Sequence, residues 1–114
     1  MPEGKNVLII DDEEDLCVLL KNYLQRQGAV ADYALNLHDG MEKLNQNKPD
    51  LLLLDNNLPD GVGIDQINQI RERYYQGRLI LMSAMGNLRE RAIQAGAESF
   101  LEKPVSFRAI HDLL

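Results

Sequence analysis

The chain has 114 residues, 45% of them apolar and 26% charged, which is enough for one domain with its own core and too short for two. Twelve basic against eighteen acidic residues leave a net charge of −6, which disfavours nucleic acid or an anionic membrane as a direct partner and suits divalent cations and basic protein surfaces. The single cysteine, Cys17, excludes an internal disulfide, so a reducing, cytoplasmic setting is the simplest expectation.

In chain order, short apolar strands alternate with amphipathic helices. "NVLIID" (6–11) reads as a buried strand. From Glu13 to Gln27, Leu16, Leu19, Leu20, Tyr23 and Leu24 fall at helical spacing, with acids at the front and Gly28 as the stop. "AVADYA" (29–34) is a short strand, and Leu37, Met41 and Leu44 mark a second helix that ends near Asn47, before Pro49. "LLLLD" (51–55) has no polar alternation, so both of its faces are expected to be covered. Ile64, Ile67, Ile70 and Tyr74 give a third helix, and "RLILMS" (78–83) a fourth strand. Leu88, Ala92 and Ala95 give a fourth helix closed by Gly96, followed by the strand "SFLEK" (99–103). The stretch from Val105 to Leu114 begins a fifth helix, with Phe107, Ile110 and Leu114 on one face. It stops on "DLL" with no cap or breaker, as expected of one domain cut from a longer protein. The apolar runs Val7–Ile10 and Leu51–Leu54 are four residues each, too short to span a bilayer. "MPEGKNVLIIDDE" lacks the apolar core and cleavage site of a signal peptide.

Five strand–helix units imply a parallel sheet with helices on both faces. The polar residues of interest all fall at the carboxyl ends of strands, where open α/β sheets bind ligands. Asp11 and Asp12 follow strand 1, Asp55 ends strand 3, Ser83 ends strand 4 and Lys103 ends strand 5. Three carboxylates together stay ionised only with compensating charge. Lys103 supplies one positive charge, and a hard divalent cation such as Mg²⁺ could supply two more. That set suits phosphoryl chemistry, with a carboxylate attacking phosphorus in line. Taken singly, each residue has a plainer reading: Asp11 and Asp12 as helix caps, Asp55 as a turn residue, Lys103 as a solvated lysine. It is their combination that points to a site. Cys17 reads as a small helix residue, His38 and His111 as surface residues, and "RERYY" (71–75) as a solvated face.

The acid pair Asp11-Asp12, "DNNLPDGVG" from Asp55 to Gly63, Ser83-Ala84 and "FLEKP" from Phe100 to Pro104 resemble a response-regulator receiver domain of two-component signalling, over essentially all of the chain. The resemblance implies a flavodoxin-like α/β fold with strand order 2-1-3-4-5, a single receiver domain over 1–114, and the site between strands 1 and 3. It makes Asp55 the acceptor of a phosphoryl group from a histidine kinase or phosphotransfer protein. Asp12, Asp55 and the backbone carbonyl of Asn57 would hold Mg²⁺ or Mn²⁺, with Asp11 acting through a bound water. Ser83 and Lys103 would contact the phosphoryl oxygens, and Phe100 would be the switch aromatic, turning inward as Ser83 moves. The face formed by helix 4, strand 5 and helix 5 would then control an output domain or downstream protein, with homodimerisation on activation left open. The chain would be a signalling switch and not an enzyme, apart from its own phosphorylation and dephosphorylation chemistry. Ser83 stands where threonine is commoner in this family, and Phe100 lacks the phenol of the alternative tyrosine.

Three rivals differ at named positions. A phosphatase of the haloacid dehalogenase type also uses a strand-end aspartate and Mg²⁺, but wants a second aspartate where Asn57 stands. A flavodoxin-like cofactor binder needs a phosphate-cradling loop where "DDEED" would repel phosphate. A receiver-like interaction module that is never phosphorylated usually lacks one of the acids or the lysine, and this chain keeps them all.

Overall fold

The computed structural model describes residues 4–114. Its main elements are β1 (Asn6–Ile10), α1 (Glu14–Arg26), β2 (Val30–Ala34), α2 (Leu37–Gln46), β3 (Leu51–Asp55), α3 (Gly63–Arg73), β4 (Arg78–Ser83), α4 (Arg89–Ala95), β5 (Ser99–Glu102) and α5 (Phe107–Leu113). The five strands are parallel and lie in the order β2-β1-β3-β4-β5. A two-residue antiparallel ladder, Asn57–Leu58 with Gly61–Val62, bridges β3 and α3, and a single 3-10 turn, Gly86–Leu88, precedes α4.

The pleat sorts the strand residues into two cores. Leu8, Ile10, Leu52, Leu54, Leu79 and Leu81 meet Leu44, Ile67, Ile70 and Ala92 on the side of α2, α3 and α4. Val7, Ile9, Leu51, Leu53, Ile80 and Met82 meet Leu20, Leu24 and Ile110 on the side of α1 and α5. All of β3 is buried, as a central strand covered on both faces requires. Each of its leucines contributes roughly 2 kcal/mol of apolar burial. Among the described residues, no helix is long and apolar enough to cross a membrane.

The elements fall where the spacing expects them, with Gly28 and Gly96 at positive φ behind α1 and α4. Several side chains do not. The inward stripe of α1 is Cys17, Leu20 and Leu24, at i, i+3 and i+7, which turns Leu19 outward to 55% exposure. "RERYY" is not a solvated face throughout: Tyr75 is buried past the end of α3, and Arg71 folds back onto loop carbonyls. In α5, Ile110 faces the core, while Phe107 stays partly exposed and stacks on Tyr23 with ring centroids 4.7 Å apart. Lys103 lies just beyond β5 rather than in it.

Candidate functional site

Parallel strands end on one edge, so their C-terminal residues converge. Asp11 follows β1, Asp55 closes β3, Ser83 closes β4, and Lys103 follows β5. Asp11, Asp12 and Asp55 each offer a carboxylate oxygen within 4.8 Å of the others, with Asp11 and Asp55 buried and Asp12 exposed. Lys103 Nζ lies 2.9 Å from Asp11 Oδ2, 3.1 Å from Asp55 Oδ1 and 3.1 Å from Glu13 Oε1. Asp11 also fills the plainer role read from its position: its Oδ1 accepts the Glu13 N–H at 2.9 Å, at the start of α1.

The charges do not balance. Burial, then the neighbouring charge of Asp11, pushes the Asp55 carboxyl up to about 6; Lys103 pulls against this and Asp12 adds to it. For Lys103, burial works downward, but hydrogen bonds to Asp11 and Asp55 and their charges outweigh it, and the net shift is upward. The lysine is thus held as ammonium, and more carboxylates surround it than its single charge can balance. An all-oxygen donor set with surplus negative charge fits a hard divalent cation such as Mg²⁺. The other His/carboxylate grouping among the described residues, His38, Asp39 and Glu42, is exposed on α2 and lacks this burial.

Ser83 is buried, and its Oγ accepts the Met85 N–H at 3.0 Å. Phe100 already lies inside, 2% exposed, in the core under α3 and α4. Its ring carries no hydroxyl that would favour the surface, and the Arg89 guanidinium lies over it at 5.2 Å. Cys17 Sγ donates to the Asp11 carbonyl at 3.3 Å. Burial, then the Asp11 charge, pushes that thiol up to about 12, so it stays protonated and inert.

Asn57 is exposed at the start of the short ladder. Three neighbours that no local pattern singles out shape this loop. Buried Asn56 accepts the Ile64 N–H on its Oδ1 at 3.0 Å and the Gly63 N–H on its carbonyl at 2.7 Å, which caps α3. A Cβ on Gly63 would sit 2.4 Å from the Asp55 carbonyl oxygen, so only glycine lets α3 start this close to the aspartate. Asp60 accepts the Leu37 and His38 N–H groups at 2.8 and 2.9 Å, which ties the loop to the first turn of α2. Those two hydrogen bonds hold the Asp60 carboxyl below its ordinary range. An aspartate that caps a helix 23 residues earlier leaves no sequence signature.

Comparison with known proteins agrees with this arrangement. The family described as response regulator receiver domain matches residues 7–114. This chain belongs to that family. The receiver domain is 38% identical over 104 residues to the chemotaxis protein CheY of Thermotoga maritima, an alignment that spans 89% of this chain and 87% of that protein. It is 36% identical to the response regulator protein PilR of Pseudomonas aeruginosa, over 96% of this chain but only 25% of PilR. The crystal structure of a two-component response regulator from Clostridium difficile superposes with a TM-score of 0.90 at 28% identity, covering 96% of this chain and 92% of that one. Receiver domains are the signalling domains of two-component systems and work with histidine kinases and output domains.

Proposed function

We propose that this receiver domain is a phosphorylation-activated switch in which Asp55 accepts a phosphoryl group from the phosphohistidine of a sensor kinase or phosphotransfer protein. The observation that supports it most is the Lys103 ammonium bridging Asp11 and Asp55 at 2.9 and 3.1 Å, with Asp12 beside them. An Asp55 carboxylate oxygen attacks phosphorus, an O–P bond forms, the P–N bond breaks, and the histidine nitrogen leaves with the electron pair. Lys103 neutralises charge on the phosphoryl oxygens. Asp12, Asp55 and the Asn57 backbone carbonyl would hold Mg²⁺ or Mn²⁺, with Asp11 acting through a water. When bound, the ion supplies further neutralisation of the phosphoryl oxygens.

After transfer, Lys103 and Ser83 turn to the phosphoryl oxygens, and Ser83 gives up the Met85 N–H. Phe100, buried next to this strand end, repacks with the start of α4. The face of α4, β5 and α5 then changes its affinity for an output domain or partner protein, within the cytoplasm. Taking the population from 1:99 to 99:1 needs about 5.5 kcal/mol of differential stabilisation. Charge-assisted contacts of a dianionic phosphoryl group are of the size required.

Lys103→Ala tests the switch. The variant is expected to take up beryllofluoride or phosphate weakly without shifting the α4 amide resonances in an NMR spectrum. Wild-type-like shifts of α4 in that variant would remove Lys103 from the mechanism.

A further inference from the structure

Lys103 has a third partner. Glu13 Oε1 lies 3.1 Å from Nζ, although 90 residues separate the two in sequence. The Glu13 backbone is fixed at the N-cap of α1: its N–H donates to Asp11 Oδ1 and its carbonyl accepts the Cys17 N–H. Its side chain is 63% exposed and, among the described residues, pairs with Lys103 alone. Lys103 itself is only 15% exposed. The two residues form the polar end of a recess of about 390 Å³ whose other walls are Leu16, Ala84, Pro104 and Val105.

These three carboxylates are not equivalent. Asp11 is buried and held by a second hydrogen bond, and Asp55 is the proposed nucleophile. Glu13 is the one that solvent can take back at little cost. We propose that Glu13 is a counter-ion that competes with the incoming phosphoryl group for Lys103, and so sets how readily Asp55 is phosphorylated. The role rests on the acceptor reading of Asp55. Glu13 touches no reacting atom; it acts through the lysine, and its charge also repels an anionic donor at the recess.

The test is phosphorylation by acetyl phosphate at saturating Mg²⁺, followed by intact mass over a range of donor concentrations. In this reaction Asp55 forms the O–P bond, the P–O bond to the acetyl group breaks, and acetate leaves with the electron pair. Glu13→Gln is expected to raise the second-order rate constant about threefold at low ionic strength, the scale of one solvent-screened ion pair. The gain should come from a lower half-saturating donor concentration and should shrink with added salt. Glu14→Gln changes net charge equally but lies off the lysine, with its carboxylate at the Tyr33 hydroxyl, and should stay at the wild-type rate. A Glu13→Gln variant no faster than wild type, an equal gain in Glu14→Gln, or a gain indifferent to salt overturns the role of Glu13 alone. A wild-type chain that takes up no phosphoryl group overturns the acceptor reading, and this role with it.

Discussion

The two ends of the sheet handle polar groups in opposite ways. At the end where the strands begin, several polar side chains close onto carbonyls or an opposite charge. The Tyr75 hydroxyl donates to the Pro49 carbonyl at 2.7 Å, with the Arg78 carbonyl 3.2 Å away. Arg71 reaches from α3 to the carbonyls of Gly96 and Gly77, which closes the loops leading into β5 and β4. Arg78 pairs with Glu98 at 2.8 Å. At the end where the strands finish, Asp11, Glu13 and Asp55 share one lysine, with the Asp12 carboxylate beside Asp11 and Asp55. One end is built to close the fold. The other holds carboxylates whose burial and mutual repulsion are left only partly compensated. That difference separates stability from function, and single substitutions can exploit it.

The largest effect on stability is expected at Asp55. Its carboxyl titrates near 3.8 in a free chain and near 6 in the folded one. The folded state therefore holds a proton that the unfolded state has already released. Stability falls as pH rises across that window, and above about 6 the whole cost, about 3 kcal/mol, is present. Asp55→Asn removes the cost. In metal-free denaturant melts at pH 7 the variant should be more stable by up to about 3 kcal/mol, and that part of the pH dependence should vanish. A destabilised variant would mean that Asp55 belongs with the closing end.

A smaller effect of opposite sign is expected at the other end. Tyr75→Phe removes a buried donor and leaves the Pro49 carbonyl short of its partner, at a cost of about 1–2 kcal/mol in the same melts. Phosphorylation should be untouched, so a slowed acceptor reaction would show that the two ends are coupled. Smaller still is Asp60→Ala, which frees the first N–H groups of α2 and should cost about 1 kcal/mol. Faster hydrogen exchange at Leu37 and His38 would report the loss directly; unchanged exchange would remove Asp60 as the tether.

The sequence carries these two ends unequally. Strands β1, β3 and β4 are legible because unbroken apolar runs such as "LLLLD" are what a central parallel strand needs. The meeting of Asp11, Asp55, Ser83 and Lys103 is legible for the same reason, since parallel strands bring their last residues to one edge. What escapes is the set of long-range side-chain contacts that strand order does not dictate. Glu13 on Lys103, Asp60 on α2 and Tyr75 on Pro49 follow no period and belong to no local motif. Leu19 misleads because a helix rich in leucine offers more than one stripe, and the small Cys17 takes the inward position. Phe100 is legible as a residue near the site, but its packing inside the core, with the Arg89 guanidinium of the preceding helix over its ring, is not revealed by pattern alone.

The most direct test of Asp55 as the acceptor is intact mass after incubation with acetyl phosphate, in Mg²⁺ and again in EDTA, for the wild type and Asp55→Asn. The expected result is a single added phosphoryl group in the wild type with Mg²⁺, and none in EDTA or in Asp55→Asn. A phosphoryl group that persists in Asp55→Asn, or a wild type that takes up neither phosphate nor beryllofluoride, would contradict the account and leave a receiver that signals by binding alone.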